Sequence, residues 1–166
     1  MTLVPVIVVG AGLTATFVDV RERRVPNVLT MTTASAGLAL AMAGLGDVGL
    51  GASLGGLALG LALLLPPHVL GATGAGDVKL LAAFGTLLGP AGVFDAFLRA
   101  AIAGGAIALA VAVRRGRFLE TIQGTALLVT TRSRAAAAVI ADPAQNNRFP
   151  YAPAIAFGAT LAVLGW

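Results

Sequence analysis

The stretch Gly74-Ala75-Gly76-Asp77-Val78-Lys79-Leu80 sets a carboxylate behind two glycines and then runs straight into an apolar segment. A second aspartate, Asp19, closes an earlier apolar stretch and is followed by Arg21-Glu22-Arg23-Arg24. The chain around them can scarcely spare a charge. Of its 166 residues 58% are hydrophobic and 11% charged, and its mean hydropathy is +0.94. A soluble domain carries roughly 25% charged residues, so this chain has too little polarity to cover a surface in water. A carboxylate beside a bilayer is costly and is by default a candidate for function.

Working outward from Asp77, apolar segments recur along the whole length, separated by short polar or Gly/Pro-rich breaks. The pattern predicts an all-α, polytopic membrane protein, one integral-membrane domain over residues 1–166 with about six transmembrane helices. The first span runs from about Leu3 to Val18, where the basic run stops it. The second follows Pro26-Asn27 and reaches about Leu45. After the turn Gly46-Asp47-Val48-Gly49, the third covers about Leu50 to Leu65, and Pro66-Pro67 then breaks the helix. A fourth covers about Val78 to Leu88, with a possible extension to Phe94, a fifth about Phe97 to Val113, and the last Tyr151 to Trp166. Several are shorter than the ~20 residues of a spanning helix. Flanking residues must extend them, or the bilayer must thin locally. The region from Arg114 to Arg148, with its six arginines, reads as amphipathic segments on the membrane surface. Its alternative is a disordered loop.

The basic residues set an orientation. With six spans, the loops after the first, third and fifth share one side. They hold Arg21, Arg23, Arg24, Lys79, Arg114, Arg115, Arg117, Arg132, Arg134 and Arg148, leaving only Arg99 near the other face. The positive-inside rule puts those loops in the cytoplasm, both termini outside, and Asp19 and Asp77 at the same cytoplasmic boundary of an inner membrane. A net charge of +4 suggests nucleic acid at first sight, but the cations are dispersed among membrane loops, so no nucleic-acid partner is expected. The expected partner is the lipid bilayer. There is no cysteine, which excludes disulfides and thiolate chemistry.

Paired carboxylates suit hydrolysis. Two held close together tend to share one proton. The ionised member takes a proton from water while the protonated one polarises a peptide carbonyl, and no metal or cofactor is required. The alternative for each aspartate is a helix cap or an ion pair with a nearby arginine. Gly74 and Gly76 permit backbone angles closed to other residues and leave room for an extended substrate backbone beside Asp77. The spacing of a nucleotide-binding phosphate loop is missing. Lys79 belongs to the same active-site loop and is a candidate for substrate binding, with lipid phosphate or topology setting as its alternative. His68, after Pro67 and near the active-site loop, reads as an interfacial histidine, with substrate contact as its alternative. Pro26 and Asn27 set the turn into the second span, Glu22 balances its arginine neighbours, and Asp47 and Asp95 fall in short loops on the far face.

At these residues a family likeness becomes specific. The run from Gly74 to Leu80 resembles the active-site signature of the type IV prepilin peptidases, the Gly-x-Gly-Asp membrane aspartyl proteases. The stretch Asp19-Val20-Arg21-Glu22-Arg23-Arg24-Val25-Pro26-Asn27-Val28-Leu29-Thr30 is similar to that family's other aspartate motif, and Phe149-Pro150-Tyr151-Ala152-Pro153-Ala154-Ile155 resembles the start of its last helix. The resemblance implies that Asp19 and Asp77 are the catalytic pair of an aspartic endopeptidase. The implied substrate is a prepilin or pseudopilin whose basic leader is cut at the cytoplasmic face. Larger members carry an N-terminal domain with a four-cysteine zinc site associated with N-methylation. This chain opens on a membrane span and has no cysteine. It therefore resembles the short forms that lack that methyltransferase domain, such as those serving tight-adherence (Flp-type) pili.

Helix ends argue for Asp77 as base, at the start of the fourth span, and Asp19 as acid, at the end of the first. The arginines at 21, 23 and 24 argue against it. The competing class is a non-enzymatic proton-linked transporter or membrane assembly subunit. A carrier would be expected to show an internal repeat or mid-bilayer polar residues, and neither is evident.

Overall fold

The computed structural model describes residues 3–70, 73–114 and 151–165. All regular structure among them is helical: α1 (Val4–Glu22), α2 (Asn27–Ala43), α3 (Leu50–Val69), α4 (Ala75–Arg114) and α5 (Ala152–Leu164). By length and composition α1, α3 and the Ala75–Ile107 part of α4 are long and apolar enough to cross a membrane, while α2 and α5 are shorter apolar helices. Large apolar side chains such as Val6, Leu13, Met31, Met42 and Ile102 point outward. A soluble monomer does not bare apolar surface on every helix, so these faces suit lipid.

The centre of the bundle is α4. Of its apolar window 61% is buried, against 28% for α1 and 22% for α3. Its first half presents Leu80, Leu81, Phe84 and Leu87 to the core, and its second half Val93, Ala96 and Ala100. Small residues let neighbouring backbones approach closely, as is usual between membrane helices. A side chain on Gly60 of α3 would meet the α4 backbone at Ala82, 2.8 Å away, and one on Gly158 of α5 would meet the backbone of Ala100 at 2.8 Å. Ser53 on α3 donates a 2.7 Å hydrogen bond to the carbonyl of Thr86 on α4, which fixes the register between these helices.

Gly89 divides α4. Its φ of 69° and ψ of −177° lie outside any helix and are open to glycine, and Pro90 follows immediately. The chain folds back on itself there. A straight helix would set Asp77 and Ala100 about 35 Å apart. Yet the Tyr151 hydroxyl lies 3.5 Å from the carbonyl oxygen of Ala100 while its ring is within electrostatic reach of Asp77. The two halves of α4 therefore run in opposite senses. The extension of the fourth span to Phe94 is corrected accordingly, because Phe94 belongs to the returning half.

Three further boundaries differ from the sequence reading. Pro66 and Pro67 do not end α3; they lie in its last turns, and the Pro66 carbonyl still accepts from Leu70 N at 3.2 Å. A proline lacks a donor but keeps its acceptor, and membrane helices tolerate it where neighbours satisfy the freed groups. The basic run does end α1, but at Glu22 rather than Val18, so Asp19 lies within the helix. Asp95 is not in a loop but on α4, where it accepts a 2.8 Å hydrogen bond from Arg99 one turn later. The amphipathic reading of Arg114–Arg148 lies, apart from the end of α4, outside the described residues.

Candidate active site

Asp77 is the third residue of α4, and its Oδ2 reaches back to accept the N–H of Gly74 at 3.1 Å. A side-chain acceptor at that position satisfies one of the free donors of a helix start. Asp19 lies in the last turn of α1, and its Oδ2 accepts the N–H of Ala152, the first residue of α5, at 3.2 Å. Each carboxylate thus serves the opening of a helix. The cap alternative holds for both as local structure. The ion-pair alternative does not: among the described residues the salt bridges are Arg24–Glu22 and Arg99–Asp95. Arg21 instead lies 4.6 Å from the ring centre of Phe17.

The two aspartates share one end of the bundle. Both are buried, at 5% and 7% exposure, and they lie within electrostatic reach of each other. Burying two carboxylates within electrostatic reach of each other, with no arginine or lysine paired to either among the described residues, is unfavourable unless something needs them there. Each uses one oxygen for an N–H bond, and a carboxylate offers about four lone-pair positions, so accepting capacity remains at both.

The segments that carry them dock directly. After α1 the chain turns at Arg23, whose φ of 53° is the left-handed conformation, at about 1–2 kcal/mol for a residue with a Cβ. That turn brings Val25 against Gly76, where a Cβ would sit 3.0 Å from the Val25 Cβ and 3.2 Å from its backbone nitrogen. One step further, the Lys79 Nζ donates a 2.8 Å hydrogen bond to the Asn27 Oδ1, tying α4 to the start of α2. Beside this junction opens a hollow of about 280 Å³ lined by Glu22, Arg24, Val25, Pro26 and Asn27.

The glycines are explained differently from the sequence reading. Neither Gly74 nor Gly76 has a positive φ. Space is what excludes a side chain: Val25 fills it at Gly76, and at Gly74 a Cβ would lie 3.1 Å from the Asp77 carboxylate. Gly76 is therefore covered by the chain itself rather than open to a substrate backbone.

This arrangement gathers both motifs of the sequence reading, and a comparison with protein families decides what they amount to. The type IV leader peptidase family matches over residues 6–109, which contain Asp19 and Asp77. The chain belongs to that family. No curated protein and no solved structure gives a match. The all-helical fold and its apolar helices agree with a leader peptidase of the membrane.

Three residues named in the sequence reading make contacts at this site that the sequence did not announce. Ala152 holds Asp19 through its backbone, a role no side-chain pattern announces. Tyr151 stands beside it, against Gly104 of α4, within reach of the Asp77 charge. His68, read as interfacial, has its Nδ1 2.9 Å from the carbonyl of Thr73, next to Gly74. Thr73 itself carries a buried hydroxyl with no hydrogen-bond partner among the described residues.

Proposed function

We propose that this leader peptidase is an aspartic endopeptidase whose catalytic pair is Asp19 and Asp77. Its substrate is a type IV prepilin or pseudopilin, in the first instance of the Flp type. The observation that carries the reading is the burial of two carboxylates at one end of the bundle, within electrostatic reach of each other and with no arginine or lysine paired to either among the described residues.

One carboxylate takes a proton from water, and the water oxygen bonds to the scissile carbonyl carbon. The other, protonated, gives its proton to the carbonyl oxygen, so that a neutral tetrahedral diol forms. The diol collapses by breaking the C–N bond as the nitrogen receives a proton, releasing an amine and a carboxylic acid. The sharper division, with Asp77 as base and Asp19 as acid, loses its ground. Asp19 lies at the end of α1 but also at the start of α5, so both carboxylates stand at the positive end of a helix.

The fold-back at Gly89 supports counting the two halves of α4 as separate crossings, which gives six with α1, α2, α3 and α5. Arg21, Arg23, Arg24 and Lys79 flank the aspartates in sequence, which favours a cytoplasmic active site and outward termini. Lys79 and the two glycines serve the site by shaping it, with Gly74 and Gly76 admitting the close contacts and Lys79 joining α4 to α2.

The reading is tested with purified protein in liposomes, offered a prepilin with a basic leader and, separately, an ordinary signal peptide. Mass spectrometry is expected to find the released leader and the intact signal peptide. An uncut prepilin overturns the proposal, and cleavage of the signal peptide alone transfers it to another substrate class.

A further inference from the structure

We infer that His68 is a positioning residue for Asp77, acting through the single peptide unit that joins Thr73 to Gly74. The inference rests on the proposed role of Asp77 for its catalytic consequence, though not for its geometry. A carbonyl oxygen only accepts, so the 2.9 Å contact between His68 Nδ1 and the Thr73 oxygen requires the hydrogen to be on Nδ1. The nitrogen at the other end of that same amide, Gly74 N, donates to Asp77 Oδ2 at 3.1 Å. One planar amide is therefore held at both ends, by the imidazole on its oxygen and by the carboxylate on its hydrogen. Its carbonyl and N–H polarise each other, so each bond strengthens the other.

The rest of the geometry gives this relay its purpose. His68 sits in the last turn of α3, one turn beyond Leu64, which belongs to the core shared with α4. The 73–74 segment has no helix of its own, and Gly74 contributes no side chain to anchor it. Without the imidazole, the Thr73 carbonyl has no partner among the described residues, and the segment is held only from the α4 side, by Gly74 N on the carboxylate and by the Gly74 carbonyl, which accepts from Asp77 N at 3.1 Å and Val78 N at 3.4 Å. With it, the Asp77 oxygen is aimed by a rigid helix from outside. The imidazole is also within electrostatic reach of the Asp77 carboxylate, which adds a direct interaction to the relayed one.

The test compares His68→Phe, which keeps a ring but removes the donor, with His68→Asn, whose amide nitrogen occupies about the place of Nδ1. In prepilin cleavage His68→Phe is expected to lower kcat by roughly 10- to 100-fold with KM little changed, the signature of a misplaced group rather than lost binding. His68→Asn is expected to recover most of that loss. A second readout needs no activity. Thr73-Gly74 is the only Thr-Gly pair in the sequence, so carbonyl-¹³C threonine with ¹⁵N glycine isolates this one amide by NMR in detergent. The Gly74 proton is expected to move upfield in His68→Phe and to return toward the native position in His68→Asn. An unmoved resonance in His68→Phe overturns the relay. A moved resonance with kcat unchanged overturns its catalytic consequence. The expected shift in His68→Phe, together with a native protein that cuts no prepilin, leaves the relay standing and removes the peptidase reading instead.

Discussion

Asp77 takes its hydrogen bond from Gly74, three residues back on its own chain, whereas Asp19 takes its from Ala152, 133 residues away. The first carboxylate is set by a local turn and a nearby helix end. The second is set by the packing of α1 against α5, so it is correct only when the whole bundle has assembled. The difference teaches where each can be disturbed. Asp77 answers to changes in its own loop. Asp19 answers to changes anywhere that moves the start of α5, including the second half of α4 on which Tyr151 rests.

The largest effect expected is on the carboxylates themselves. Asp19→Asn and Asp77→Asn keep the shape and are each expected to reduce cleavage by about 10²–10⁴-fold, read as product formed per unit time in liposomes. Stability should respond unequally at the two positions. The Asp77 bond closes only a local turn, whereas the Asp19 bond joins the two ends of the chain. Thermal melting should therefore fall more for Asp19→Ala, which removes the acceptor, than for Asp77→Ala; an equal fall would break the comparison.

Next in size is the junction between the two motifs. Gly76→Ala drives a methyl to 3.0 Å from the Val25 Cβ, an overpacking that costs about 1–3 kcal/mol in a well-packed interior. Pairing it with Val25→Gly removes that Cβ, the nearest atom, so the double variant should melt above the value expected from adding the two single losses. Failure of that rescue would mean that Gly76 is glycine for another reason.

A smaller effect tests the Asp77 loop from within. Thr73→Val removes a buried hydroxyl that has no partner among the described residues, where an unpaired group costs about 1–3 kcal/mol. Its melting temperature is expected to hold or rise while kcat/KM falls, if the hydroxyl is kept for substrate. Unchanged kcat/KM would show that it is not. The smallest effect should be Lys79→Met, which loses an exposed hydrogen bond to Asn27 and should change cleavage by no more than a few-fold.

The same contrast explains what could be read from the sequence. Asp77 was legible because its surroundings are contiguous: two glycines, a carboxylate and the start of an apolar helix. Asp19 was legible as a charge at an apolar edge, and the arrangement of basic residues placed it on the side of Asp77. Its holding contact was not, because a backbone N–H at Ala152 leaves no mark in composition or spacing. His68 was legible as a residue near the active-site loop, but its place on α3 was not, because Pro66-Pro67 read as a helix break although α3 runs through them. The glycines were read by conformational freedom when close approach is what they supply. Gly89 is where backbone freedom turns the chain back, and the expected end of the fourth span at Leu88 falls beside it, whereas its extension to Phe94 ran past it.

The central claim is that the two carboxylates, held so differently, act as one unit. Prepilin cleavage measured side by side for the native protein, Asp19→Asn, Asp77→Asn and the double variant tests it most directly. If they act together, each single variant should already be as inactive as the double, because losing either member removes the whole function. Contradiction would come from single losses that multiply in the double variant, or from either single variant cutting at the native rate.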